Sequence, residues 1–265
     1  MNLELAALHS GSGSGSSLAR PVGSAGGLLS TPESILNDTA SAEELIAWAH
    51  QVHGEGLALS SSFGADAALM LHLVTTVVPQ VKVLFIDTGY LFPETYRFAE
   101  ELKERFKLNL HVYGPKMTPA RQEALYGQLW EQGDVGVRRY LQLNKVEPMQ
   151  RALSELKITG WLAGLRGSQT DHRKSLGRVI EQDGRMKVHP ILHWGRTELE
   201  DYFREHHLPR HPLYAEGYRS IGDVHSTIPV GPEDDDRAGR FLGTKKECGL
   251  HLSAEENTSL SASGL

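Results

Sequence analysis

Five short segments of this 265-residue chain hold residue types that could do chemistry together. In Lys245-Lys246-Glu247-Cys248-Gly249-Leu250-His251, one thiol sits among two lysines and a histidine. Neighbouring positive charge lowers a thiol's pKa and raises its thiolate fraction, so Cys248 reads as a nucleophile. A buried structural cysteine is the alternative. Ser60-Ser61-Ser62-Phe63-Gly64-Ala65-Asp66 runs from a strand into a helix N-terminus, where backbone N–H groups, hydroxyls and the helix dipole make an anion cradle. No Gly-Lys-Ser/Thr follows, and the dinucleotide fingerprint is absent. Such a Ser-rich turn also serves as a plain helix cap. Asp87-Thr88-Gly89 ends a second strand. Asp87 could accept from a ribose hydroxyl or an adenine amine, and Gly89 permits close backbone approach. The same residues equally suit the entry to a helix with Pro93 and Glu94 in its first turn. Arg166 and Arg173 stand seven apart on one loop, and Arg237 and Arg240 flank another; guanidinium groups suit phosphate oxygens.

The composition limits what these residues can serve. With 27 basic against 33 acidic residues the net charge is −6, which argues against a nucleic-acid binder working through bulk electrostatics. The single cysteine excludes a disulfide within these residues and any metal site built from several cysteines, and it fits a reducing, cytoplasmic setting. The 13 histidines are scattered, with no His-Glu-x-x-His, so no protein-bound metal is expected. No 18-residue apolar run offers a membrane span.

The elements that must position these residues alternate. Strands are expected at Leu57–Leu59, Val81–Ile86, Leu108–Tyr113, Ile158–Leu165 and Val188–Leu192. Helices are expected after a capping box at Ser41–Glu44 and at Ala65–Thr76, Pro93–Phe106, 119–130, 135–156 and Arg196–His206. Pro32 is expected at the first position of an earlier helix. Strands alternating with helices give an α/β fold, a parallel twisted sheet with helices on both faces. Ligands bind beyond the carboxyl ends of such strands, where 60–64, 87–90 and 164–173 converge on one nucleotide-sized site. Residues 1–30 read as a flexible Ser/Gly-rich extension, 31–230 as the nucleotide-binding domain, and 231–265 as a mobile tail carrying Cys248.

From Leu57 to His251 the chain resembles the phosphoadenylyl sulfate (PAPS) and adenylyl sulfate (APS) reductase family. The resemblance rests on Leu59–Gly64, Ile86-Asp87-Thr88-Gly89-Tyr90-Leu91-Phe92-Pro93-Glu94-Thr95-Tyr96, Tyr126–Glu131, Asn144–Met149, Ala163-Gly164-Leu165-Arg166, His211-Pro212-Leu213, Gly217-Tyr218 and Glu247-Cys248-Gly249-Leu250-His251. It implies an adenine-nucleotide alpha-hydrolase-like fold whose modified pyrophosphate loop is Ser60, Ser61, Ser62, Phe63 and Gly64. Asp87, Thr88 and Gly89 would lie beside the adenosine. Lys145, Arg166, Arg173, Arg237, Arg240 and His251 would bind substrate, and Cys248 would attack its sulfur. Reduced thioredoxin or glutaredoxin would be the electron donor, with no bound cofactor and a homodimeric assembly. The APS branch holds an iron–sulfur cluster on two cysteine pairs; Tyr140, Leu141, Asp223 and Ser226 stand at those positions here. The resemblance is therefore to the cluster-free branch, which uses PAPS. Gly167-Ser168 and Arg237-Ala238-Gly239-Arg240 depart from that branch's pattern and leave APS open as the alternative substrate. An ATP-using adenylylating enzyme and a non-enzymatic nucleotide-binding redox switch are the other readings of the same pocket.

Overall fold

The structure is a computed structural model and describes residues 32–231 and 234–240. The expected terminal extension, and the tail segment that bears Lys245, Cys248 and His251, lie outside the described residues. Six strands form one sheet: β1 (Leu57–Ser60), β2 (Lys82–Ile86), β3 (Asn109–Tyr113), β4 (Gly160–Ala163), β5 (Val179–Gln182) and β6 (Arg185–Val188). Their order is β3-β2-β1-β4-β6-β5, and every neighbouring pair is parallel except β5 with β6. The helices are α1 (Glu33–Leu36), α2 (Ala42–His53), α3 (Ala67–Val77), α4 (Pro93–Phe106), α5 (Pro119–Tyr126), α6 (Gly133–Leu141), α7 (Glu147–Glu155), α8 (Asp171–Lys174) and α9 (Arg196–Glu205).

Side chains alternate between the two faces of a strand, and both faces here are apolar. Leu110, Val83, Leu59, Leu162 and Val188 lie in register across five strands. They pack against Ile46 of α2, Leu69 of α3, Leu102 of α4 and Phe203 of α9. The residues between them, Ala58, Leu84 and Trp161, face the other way onto Met149, Ala152 and Leu153 of α7. Fully burying each such leucine contributes about 1.5–3 kcal/mol. Helix α2 starts where the sequence places it: Ser41 Oγ accepts from Glu44 N at 3.1 Å, and Glu44 Oε2 accepts from Ser41 N at 2.7 Å.

Three expectations need correction. The strand expected at 188–192 is instead the end of a hairpin, with Val188 closing β6 and residues beyond it in turns. The hairpin signal is Asp183-Gly184, both at positive φ (51° and 74°), which suits a two-residue turn between strands. The continuous helix expected over 135–156 is divided into α6, a π-helical turn at Gln142–Val146, and α7. Pro148 has no N–H to donate, and the wide turn lies immediately ahead of it. Pro32 caps α1 from outside rather than occupying its first position.

From β1 the chain moves outward through β2 to β3, then returns to place β4 on the other side of β1. The direction of winding therefore reverses between β1 and β4. The loops leaving their carboxyl ends diverge there, and a crevice opens between them.

Candidate active site

That crevice is a cleft of about 220 Å³. Its floor is the β1–α3 loop, where Ser61 N extends the ladder by donating to Leu84 O at 3.0 Å. Phe63 then turns the chain at φ 50°, a costly conformation for a non-glycine residue. Its buried ring packs edge-on against Phe85 with centroids 4.8 Å apart. Phe63 thus holds the loop from beneath. Ser60, Ser61, Ser62, Gly64, Ala65 and Asp66 line the cleft; Phe63 does not. Ser60 Oγ accepts from Trp161 Nε1 at 2.7 Å, which leaves its own proton available to a ligand.

The loop after β2 divides its work differently from the expectation. Thr88 lines the cleft, whereas Asp87 and Gly89 do not. Asp87 Oδ1 accepts from Gly89 N at 2.8 Å and from Tyr96 Oη at 2.6 Å, so this carboxylate shapes its own turn. Gly89, at φ 76°, lets Pro119 close against the backbone where a Cβ would stand.

The expected cations do converge. Lys145 enters the cleft from the π-helical turn, Arg166 from the end of β4, Arg173 from α8, and Arg237 and Arg240 from the last described residues. All five are at most 9% exposed. Arg219 joins them, and Asp66 is the one aspartate or glutamate on the wall among the described residues. Arg166 Nη2 pairs with Asp66 Oδ2 at 3.0 Å and with Asp236 Oδ2 at 3.5 Å. Gln169 Oε1 accepts from Arg166 N at 3.2 Å and from the Arg173 guanidinium, so it links the two arginines. Arg237 donates to Ser220 Oγ at 3.2 Å. The Arg240 guanidinium lies against Gly222, in the space a Cβ would take.

Asp223 is buried beside this wall. It accepts from Thr88 Oγ1 at 2.6 Å and pairs with Lys145 Nζ at 2.6 Å. Burial alone would push its carboxyl pKa up; the Lys145 charge and the hydrogen bonds from Lys145 and Thr88 outweigh that and hold it below the ordinary value. Tyr140 and Trp130 surround His225, with Trp130 stacked on it at 4.0 Å, and burial lowers the imidazole pKa to about 4. Among the described residues no group of His, Cys, Asp or Glu side chains could hold a metal ion.

Sequence reasoning missed Gln169, Arg219 and Asp223 as members of the site. Arg219 follows the Gly217-Tyr218 pair, and the sequence marks Asp223 only as standing at a cluster-cysteine position of the other branch. The remaining wall is apolar, with Leu69, Met70, Met149 and Ile221 among its residues. A cleft that is cationic in one part and apolar in another can hold a polyanion bearing a flat, uncharged ring.

Residues 56–229 match the family described as phosphoadenosine phosphosulfate reductase domain. The phosphoadenosine 5′-phosphosulfate reductase of Synechocystis sp. is 52% identical over 232 residues, covering 86% of this chain and 93% of that one. The protein of the same name from Thiocapsa roseopersicina is 50% identical over 214 residues, covering 81% and 90%. Among solved structures, the phosphate complex of phosphoadenylyl-sulfate reductase from Candida auris superposes with a TM-score of 0.64 at 31% identity, over 76% of this chain and 100% of that one. FMN adenylyltransferase from Candida glabrata, at 16% identity and a TM-score of 0.54 over 78% and 70%, shares the fold.

Proposed function

The chain belongs to the phosphoadenosine phosphosulfate reductase family, and from this we propose that it reduces PAPS to sulfite with a thioredoxin- or glutaredoxin-type dithiol protein as electron donor. The observation that carries the reading is the convergence of Lys145, Arg166, Arg173, Arg219, Arg237 and Arg240 on one cleft at the switch point of the sheet. A phosphosulfate ester of a nucleotide is densely anionic. These cations would neutralise it and stabilise the charge that develops on the leaving phosphate oxygen. Ser61, Ser62, Gly64 and the start of α3 would take phosphate oxygens, and the apolar wall would take the adenine.

In this reading the Cys248 thiolate attacks the sulfur of PAPS. A bond forms between Cys248 Sγ and that sulfur, the S–O bond to phosphate breaks, and adenosine 3′,5′-bisphosphate leaves with the electron pair. The enzyme holds an S-sulfocysteine. A donor thiolate then attacks Cys248 Sγ, sulfite departs, and the donor's second thiol resolves the mixed disulfide. The two electrons that take sulfur from sulfate to sulfite come from that dithiol. Arg240 lines the cleft and precedes Cys248 by eight residues, so a covalent tether of at most about 29 Å would allow the thiol to reach the substrate. The reading includes a core at 31–230 that binds nucleotide, a tail at 231–265 that carries the nucleophile, a homodimer, and a cytoplasmic role in sulfate assimilation.

Cys248→Ser tests it. The variant should bind adenosine 3′,5′-bisphosphate as the wild type does and release no sulfite. Sulfite production by that variant would overturn the mechanism.

A further inference from the structure

Lys145 is unusual among the cleft's cations. It is carried by a π-helical turn, and its ammonium is matched to one buried carboxylate rather than to solvent. Asp223, on the opposite side of that contact, has no exposed surface. Its backbone is fixed independently: it bridges Leu91, and the next residue's N–H donates to Tyr90 O at 2.8 Å. Its Oδ1 accepts from Thr88 Oγ1, which in turn accepts from Tyr90 N at 3.2 Å. The second oxygen stands 2.6 Å from Lys145 Nζ as its ion-pair partner. Burying a carboxylate and an ammonium is costly, and stability alone is weak grounds for such a pair. A lysine tail has many rotamers, however, and an ammonium that must meet an anion at one point needs an anchor.

We infer that Asp223 is the positioning residue for Lys145: one ammonium N–H is held by its carboxylate so that the others are presented to the anionic part of the ligand in the cleft. Asp223 itself lies outside the cleft lining and acts through Lys145. Thr88 belongs to the same device, because its hydroxyl is committed to Asp223. The inference rests on the proposed function for the identity of the anion.

The test is a double-mutant cycle with Asp223→Asn, Lys145→Gln and the two combined. Calorimetric affinity for adenosine 3′,5′-bisphosphate and thermal unfolding are read on each. Each single variant should lose about tenfold in affinity, and the double variant should lose no more than Lys145→Gln alone. The double variant should also unfold at a higher temperature than Lys145→Gln, which leaves a buried carboxylate unpaired. Asp223→Glu keeps the charge but moves it, and carries the same cycle if Asp223→Asn does not fold; it should lose affinity, though less than Lys145→Gln. Unchanged affinity in the Asp223 variants, or losses that multiply in the double variant, would overturn the inference and leave the proposed function standing. Failure of the wild type to bind the nucleotide would remove both.

Discussion

Trp161 on β4 donates its indole N–H to Ser60 Oγ at the end of β1, across 2.7 Å. This bond ties together the two strands between which the cleft opens. Ser60→Ala would remove the hydroxyl that accepts from this indole, at a cost of about 1–3 kcal/mol. Urea unfolding should show that loss, and the nucleotide affinity should fall less than in Ser62→Ala, whose hydroxyl has no such duty.

Gln169 joins Arg166 to Arg173 through a single side-chain oxygen. Gln169→Ala removes no charge from the cleft, yet the Arg173 guanidinium loses a positioning bond and the Arg166 backbone N–H loses its acceptor. Affinity for adenosine 3′,5′-bisphosphate should fall about tenfold while thermal stability changes little. An affinity equal to wild type would mean that Gln169 does not position Arg173 for the ligand.

Gly222 earns its place through Arg240. Any Cβ there meets the guanidinium that lies along it. Gly222→Ala should weaken nucleotide binding about tenfold, and Arg240→Ala should make the two variants equivalent in a double-mutant cycle. Independent losses would separate the glycine from the arginine.

Acid should weaken the fold through its buried histidines. His189, His211 and His225 have imidazole pKa values lowered by burial to about 4, against an ordinary 6.5. They are neutral in the native state, while the unfolded chain takes up protons below pH 6.5. Their contribution is complete above that pH and is lost as pH falls toward 4. His211 accepts from Leu213 N on Nδ1 at 3.2 Å and meets Thr95 Oγ1 through Nε2 at 3.0 Å. Denaturant titrations at pH 7.5 and 5.0 should show a smaller difference for His211→Asn than for wild type.

The order of β1 to β4 and of the helices α2 to α4 was legible because apolar alternation and cap residues are local signals; α4 falls at Pro93–Phe106 as expected. The cations were legible through motif resemblance, and the cleft gathers Lys145, Arg166, Arg173, Arg237 and Arg240. What the sequence withheld is direction. Phe63 and Asp87 sit within recognisable runs, yet one turns under the loop and the other toward Tyr96. Asp223 is separated by 135 residues from Thr88 and by 78 from Lys145, so no periodicity could reveal their contact. The break between α6 and α7 was hidden because Pro148 is tolerated at a helix start and is read as such only once the wide turn is seen.

The central claim is tested most directly by sulfite release from the purified protein with reduced thioredoxin, supplied with PAPS and with APS in parallel. The account predicts sulfite from PAPS at a rate well above that from APS, with loss of activity when thioredoxin is omitted. Sulfite from APS in preference would assign the choice of substrate to Gly167-Ser168 and Arg237–Arg240 and contradict the PAPS reading. No sulfite from either nucleotide, with the Cys248 thiol shown to be reduced, would contradict the reductase account as a whole.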